Sequence, residues 1–473
     1  MNFKELTSFI ENHKKKFKDF SMKLNSNEIK DRDIFISLAD DPVKNELHIK
    51  DAVKKGASAI ITGIETKEDL TVPVICFLNL KNKLSDLANF FYQDPSKKLN
   101  LFGITGTNGK STTAFFLHQL LNKNNFNSSL LSNIKNKRKG VFFSKLTTPD
   151  IFSLNKFLSW SNTLNCDCAI IEVSSHAIDQ KRIKGLSFDY GCFTNISRDH
   201  LDYHGTMKEY SRIKESFFLE NSFKSALINI DTPIGKKIYK SKSNFLSFSS
   251  SFRNADFYLD KKNFLHFKNQ SYDLLFFSKQ GFLITNLGMA VSLAILLKPK
   301  INLENINKLS TSKGRFEKIQ VFNNKYCIID YAHTPSAIET VLKDIEKNFT
   351  GSKISIFGCG GNRDKGKRSK MGKIVEKFSD EILITTDNPR FEDPVDIYED
   401  IISGISNRKK TSFIPDRKKA IKEGLKILSR QKKDSVLLIA GKGHENYQEV
   451  KGERFPLNDK NILKDLILSL IHI

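Results

Sequence analysis

The run GITGTNGKST, Gly103–Thr112, sets glycines, one lysine and a pair of hydroxyls between an apolar strand, Leu99–Ile104, and a helical segment, Ala114–Leu121. Glycines let backbone N–H groups turn toward an anion without Cβ interference, and a helix N-terminus adds a partial positive charge. In such a cradle Lys110 reaches the outer phosphates of a nucleotide, and Ser111 the magnesium that travels with them. The spacing departs from G-x-x-x-x-G-K-[ST], because Ile104 stands at the first glycine and the glycines fall at Gly103 and Gly106. A second set of chemically active residues follows. Glu172 ends the strand-like CAIIE two residues before a serine pair, and DHLDYH packs Asp199, His200, Asp202 and His204 into six positions. With Ser111, the residues Glu172, His200 and Asp202 form a hard oxygen and imidazole set suited to magnesium beside phosphates.

The elements that must position these groups are short apolar strands, each followed by a polar loop. In the first 96 residues the strand-like runs IFISLA, AIITGI and VICFLNL alternate with helical AVKKGA, and Asp94–Lys98 reads as a linker. In 97–311, LFGIT, CAIIEV, GCFTNI and ALINI lead into the phosphate loop, SSHAIDQKR, SRDHLDYH and Asp231. From 312 onward, YCIID, ISIFG, EILIT and VLLIA lead into YAHTP, CGGNRDKGKR, TDNPRFEDP and GKGHENY. Strand–helix alternation of this kind predicts an α/β fold with parallel sheets, whose ligands bind beyond the carboxyl ends of the strands. Three domains are expected, at 1–96, 97–311 and 312–473. The segment 238–253 is Ser-rich and reads as surface.

Composition narrows the function classes. The chain of 473 residues has 39% hydrophobic content and a formal charge of +23. Lysine outnumbers arginine 62 to 14 and is scattered, with KNKRKG at Lys135–Gly140 the densest run. Nucleic-acid phosphates favour arginine forks with interleaved aromatics, and no such stripe is present. No nucleic-acid partner is therefore expected. No run of about 18 apolar residues exists to span a membrane. The N-terminus lacks the apolar core of a signal peptide. The six cysteines form no C-x-x-C pair, and four lie in apolar strand-like runs, as in a reducing, cytoplasmic setting.

GTNGKS, TTPD (Thr147–Asp150), EVSSHAIDQKR (Glu172–Arg182), FTNISRDHLDYHG (Phe193–Gly205), GRFE (Gly314–Glu317), DYAHTP (Asp330–Pro335), DNPR (Asp387–Arg390) and GKGHE (Gly441–Glu445) follow one another in the order found in the Mur ligases. From about residue 95 the chain resembles that family, in the form that adds the third residue of the peptidoglycan stem. The resemblance implies a central P-loop parallel-sheet ATPase domain. It is flanked by an N-terminal α/β uridine-binding domain and a C-terminal Rossmann-like domain that binds the amino acid. It also implies a reaction. ATP phosphorylates the γ-carboxylate of UDP-N-acetylmuramoyl-L-alanyl-D-glutamate, and an amino acid attacks the acyl phosphate to form an amide. The chain is then expected to act as a monomer with ATP and Mg2+.

Site residues carried over by the resemblance fall into four groups. ATP is implied to meet Gly106, Thr107, Asn108, Gly109, Lys110, Ser111, Thr112, Asn286, Arg315, Asp330 and His333. Where the family has a second asparagine near the adenine, this chain has Met289. Magnesium is implied at Ser111, Glu172, His200 and Lys214, the last as a carbamate, with Lys110, His200 and Lys214 as the catalytic groups. An ammonium beside a divalent cation is strongly repelled, so Lys214 would lose its proton and react with carbon dioxide. The sugar-nucleotide is implied to meet Ser26, Thr147, Thr148, Ser174, Gln180 and Arg182, although Asn27 replaces a family arginine and ADDPVKNELH a glycine-rich segment. DNPR matches the diaminopimelate-adding form, which places meso-diaminopimelate on Arg363, Asp387, Asn388, Pro389, Arg390, Gly441 and Glu445. The alternatives are another ligase of the superfamily, lysine-adding, D-alanyl-D-alanine-adding or folylpolyglutamate-forming, and a basic P-loop protein that binds nucleic acid. DNPR and TTPD argue against the former.

Overall fold

A computed structural model describes residues 2–66, 70–134, 140–274, 281–304, 306–432 and 434–471. The basic run at 135–139 lies outside them. Among the described residues the strands gather into a four-, a ten- and a six-stranded sheet and one small hairpin, Tyr447–Val450 with Glu453–Pro456. The first sheet runs Met22–Lys23, Ile34–Ser37, Ala59–Thr62, Val74–Cys76 in chain order, all parallel. Its helix Pro42–Lys54 starts well before the expected Ala52. Asp41 caps it by accepting from Lys44 N at 2.8 Å, and Pro42 takes the first turn, where no N–H is needed.

At the centre of the ten-stranded sheet lies Asn100–Thr105, between Cys168–Glu172 on one side and Tyr190–Phe193 on the other, all parallel. Beyond Tyr190–Phe193 come Ser225–Asn229 and Phe245–Ser249. Phe257–Leu259 follows, still parallel, and the expected all-parallel sheet ends with it: Phe264–Phe267 pairs antiparallel with both Phe257–Leu259 and Gln270–Asp273. Phe245 and Phe248 are buried, so the Ser-rich segment 238–253 contributes a core strand rather than pure surface. The phosphate-loop helix begins at Lys110, earlier than Ala114, and runs to Lys123. It packs against the apolar helix Gly281–Leu297 in one core cluster.

The six-stranded sheet is ordered Glu317–Phe322, Lys325–Asp330, Ser435–Ala440, Lys353–Phe357, Glu381–Ile384, Thr411–Phe413. Only the first pair is antiparallel, because the turn at Asn323–Asn324, with Asn324 at φ 54°, makes a two-residue hairpin. This order sets the loops YAHTP, GKGHE, CGGNRD and DNPR side by side at the carboxyl edge. Asp94–Lys98 is not an open linker. Pro95–Lys98 is a 3-10 turn with Pro95 and Ser96 buried, and Ser96 accepts from Ser187 N at 3.1 Å. All six cysteines are free thiols.

One ion pair of the core carries a prediction. Arg417 and Asp459 have no exposed side-chain surface and meet at 2.7 and 2.8 Å, joining helix Arg417–Arg430 to the last helix, Asp459–Ile471. Removing one partner strands the other charge in the interior. Asp459→Ala is expected to destabilise the protein by about 3–5 kcal/mol, read as a lower denaturant midpoint. A shift under about 1 kcal/mol would contradict it.

Candidate active site

The phosphate loop has the expected cradle geometry. Gly106 and Gly109 adopt φ 144° and 86°, and a Cβ would fall 2.0 Å from Thr194 Oγ1 at the first and 2.4 Å from Asn286 Oδ1 at the second. The loop is held open from below. Asn195 accepts from Asn108 N at 2.9 Å, Thr194 donates to Asn108 O, and Tyr210 meets the Thr107 hydroxyl at 3.0 Å. Lys110 donates to Gly106 O and Thr107 O at 2.9 and 2.8 Å, so its ammonium lies over the loop. Burial pulls its pKa down, opposed by the nearby Glu172 and Asp199.

Lys214 is no surface lysine. It is 1% exposed on helix Met207–Glu220 and donates to Gly106 O at 2.9 Å, the same carbonyl that Lys110 uses. Burial first and Lys110 second push its pKa well down, which favours the neutral amine. Ser111 donates to Glu172 Oε2 at 2.7 Å, and burial raises the Glu172 pKa. His200 caps a short helix in the left-handed region, φ 55°, with its ring beside Asp199 at 3.3 Å. Burial keeps that ring neutral at pH 7, leaving lone pairs for a ligand. Lys110 is electrostatically coupled to Glu172, His200 and Lys214 alike. Asp202 departs from the expected magnesium set, because it pairs with Arg363 at 3.2 Å.

A cavity of about 320 Å³ opens beside the loop, lined by Asn108, Gly109, Thr112, Asn286, Arg315, Asp330 and His333 from the expected nucleotide set. Phe282, Met289 and Val341 give it an apolar wall. Arg315 reaches Ser111 Oγ at 3.5 Å, its guanidinium lies 4.4 Å from the Tyr331 ring, and its Nε is buried without a partner. That orphan donor, the glycine cradle and the Ser111–Glu172 oxygens fit a nucleotide phosphate with magnesium. Asp330 does not face the cavity freely. It accepts from Phe316 N and Ala332 N, both at 2.7 Å, which locks GRFE onto YAHTP.

Across the cleft, six of the seven residues implied for the amino acid line one pocket of about 140 Å³: Arg363, Asp387, Asn388, Arg390, Gly441 and Glu445. Pro389 is the exception, its carbonyl lying only 1.8 Å from where a Gly361 Cβ would sit. Arg390 is left-handed, φ 53°, pinned by Arg390 N to Glu449 O and Lys451 N to Arg390 O. Its guanidinium donates to Gly361 O at 2.8 Å and lies 3.6 Å from Glu449. It does not pair with Asp393, which caps helix Pro394–Ile402 instead. Sequence reasoning passed over Lys442. It is fully buried and donates to Asn388 Oδ1 and Glu445 Oε2 at 3.0 and 2.9 Å. Its one mark in the sequence is its place inside GKGHE. Asp199 was also missed as a junction: His333 lies 3.6 Å and Lys367 3.8 Å away. Its carboxyl is held well below the usual range by His333, His200 and Lys367, against its own burial.

The sugar-nucleotide set is partly gathered. Thr148 donates to Glu172 O at 2.7 Å and meets Ser174, while Arg182 donates to Thr148 O and Gln180 Oε1. Gln180 and Arg182 line a cavity with Leu24, Leu38, Lys81 and Asp150. Thr147 accepts weakly from Asn133 at 3.5 Å. Ser26 is buried and does not line that cavity.

Residues 104–306 match the Mur ligase middle domain, and 314–443 the Mur ligase glutamate ligase domain. A UDP-N-acetylmuramoyl-L-alanyl-D-glutamate–2,6-diaminopimelate ligase of Aquifex aeolicus is 36% identical over 94% of this chain and 92% of its own. The protein of that name from Parabacteroides distasonis is 37% identical over 92% and 91%. Among solved structures, one of a ligase with that name superposes with a TM-score of 0.63 at 28% identity, covering 96% of this chain and 95% of the other. A MurF ligase from Thermotoga maritima in complex with ADP shares the fold, with a TM-score of 0.64 at 18% identity over 95% and 96%. Matches of this extent, joined to the loop-by-loop geometry, place the chain in the Mur ligase family.

Proposed function

We propose that the chain is an ATP-dependent amide ligase that adds meso-diaminopimelate to the D-glutamate γ-carboxylate of UDP-N-acetylmuramoyl-L-alanyl-D-glutamate. The observation that carries this reading is one cleft. It consists of two adjoining cavities that share Tyr331 and His333, one lined by Asn108 and Gly109 of the phosphate loop, the other by Arg363, Arg390, Asp387 and Glu445. The carboxylate oxygen attacks the γ-phosphorus and ADP leaves. The amine nitrogen then attacks the acyl carbon, phosphate leaves, and the nitrogen loses its proton. Lys110 and Arg315 neutralise charge on the transferring phosphoryl group, and the loop amides orient it. Ser111, Glu172, His200 and carbamylated Lys214 are the residues that would hold magnesium, which screens phosphate charge when bound. Gln180 and Arg182 face the sugar-nucleotide. Three structural units with boundaries near 96 and 311 bring these parts together.

The test is direct. Protein, ATP, magnesium and the UDP-dipeptide are mixed with single amino acids, and phosphate release is followed with product mass. Phosphate release and a new amide with diaminopimelate support the reading; no new amide with diaminopimelate overturns it.

The Lys214 assignment carries its own expectation. The neutral buried amine takes up carbon dioxide, forming an N–C bond and releasing a proton. Lys214→Ala should lose most activity, on the order of 10²-fold or more, and short-chain carboxylates or high bicarbonate should restore part of it. Full activity of the variant without additive would remove Lys214 from the site.

A further inference from the structure

The ion pair between Asp202 and Arg363 spans the cleft. Asp202 belongs to the short helix Leu201–His204 that follows Tyr190–Phe193, and Arg363 to the loop after Lys353–Phe357, so the pair joins the segments that follow the central and the C-terminal sheets. Both line the amino-acid pocket beside His200, Asp387, Arg390 and Glu445. The pocket's other acids are already compensated. Asp387 and Glu445 have Lys442 beneath them, at 3.7 and 2.9 Å, and Asp199 has His333 and Lys367. Among the described residues, Asp202 and Arg363 are each other's one ionic partner. Their side chains are 21% and 45% exposed, so the pair is weakly held and opens at little cost.

We infer that this pair is a receptor for the zwitterionic head group of the incoming α-amino acid: Arg363 takes its carboxylate, and Asp202 takes the ammonium, which attacks as the neutral amine after losing one proton to solvent water. The inference rests on the amino-acid pocket proposed above and adds a residue to it. An α-amino acid carries a cation and an anion on adjacent atoms, the mirror of a carboxylate facing a guanidinium. Inserting the head group exchanges one ion pair for two charge-assisted contacts and leaves no charge unpaired. Arg390 is left to the second carboxylate, so the two ends of diaminopimelate go to different arginines. Asp202 and His200 line this pocket together. Separation of the two loops is prevented by their neighbours. Arg198 grips Asp364 with two bonds of 2.8 Å, so the sheets stay in register while Arg363–Asp202 opens.

The experiment separates amino-acid binding from phosphoryl transfer in the full-length enzyme. Asp202→Asn keeps the side chain's size and removes its charge. It is expected to raise the apparent KM for diaminopimelate about 10–100-fold, with KM for ATP and for the UDP-dipeptide within about threefold. Acyl phosphate trapped with hydroxylamine, in the absence of amino acid, should form at close to the wild-type rate. Asp202→Glu should recover part of the loss. An unchanged KM for diaminopimelate in Asp202→Asn overturns the inference. So does loss of hydroxamate in both variants, which would place Asp202 on the phosphoryl side. Glu445→Gln tells the two readings apart. If it too leaves that KM unchanged, the pocket itself has been misplaced; if it raises KM while Asp202→Asn does not, only the role of Asp202 falls.

Discussion

Lys110→Ala should leave a folded protein that releases essentially no phosphate, with a rate down by about 10³-fold or more. The lysine is tied directly to the phosphate loop, through Gly106 O and Thr107 O. A fixed donor aimed at developing charge in a dry site contributes on the order of 10²–10³ in rate, and here the donor is a full charge. The fold should tolerate its removal, because Gly106 O keeps the Lys214 contact and the loop keeps its bonds to Thr194 and Asn195. Hydroxylamine trapping should fail along with ligation, since both require phosphoryl transfer. A variant that retains near-normal phosphate release would show that the loop serves another purpose.

Rejection of L-lysine should be nearly as large an effect. Lysine shares one α-amino-acid end and a distal amine with diaminopimelate, so only the second carboxylate distinguishes them strongly. Arg390 is a planar double donor, held in a left-handed backbone conformation that costs about 1–3 kcal/mol and is secured by its bridge to Val450. A site built around a polar partner can discriminate by about 10⁴-fold, against about 10–200-fold for a missing methylene. Arg390→Ala should therefore raise the KM for diaminopimelate sharply and narrow its preference over lysine by about 10²-fold or more. ATP binding should not change, because the residues about the phosphates come from other loops. Equal ligation of lysine by the wild-type protein would remove both the substrate and the role of Arg390.

What the sequence disclosed was the chemistry at strand ends, because a short apolar run followed by a polar loop is legible without knowing neighbours. Gly106, Lys110 and the DNPR loop were singled out that way, and each follows the carboxyl end of a strand. Local signals also misled where a cap outweighed composition. The helix at Pro42 was invisible to apolar periodicity but obvious from Asp41–Pro42. The antiparallel edge past Phe257 was missed because short strands carry no mark of direction. Contacts between distant loops were beyond reach. Nothing in RDHLDYH tells whether Asp202 turns to a metal or to Arg363, since that depends on a segment about 160 residues away. Burial was the other hidden quantity. Lys214 and Lys442 look like any of the 62 lysines until the sheets close over them.

The buried Arg417 has a further role in how this enzyme can be handled. Besides Asp459 it donates to Ala440 O, the last residue of a strand whose next residue, Gly441, lines the amino-acid pocket. The terminal helix is thus wired to the pocket through this guanidinium and through Asn458, which donates to Glu445 O at 3.0 Å. Trimming that helix, or straining it with a bulky C-terminal fusion, would act at a distance on substrate choice: the Gly441–Glu445 loop would loosen first, and amino-acid selectivity would degrade before nucleotide turnover does.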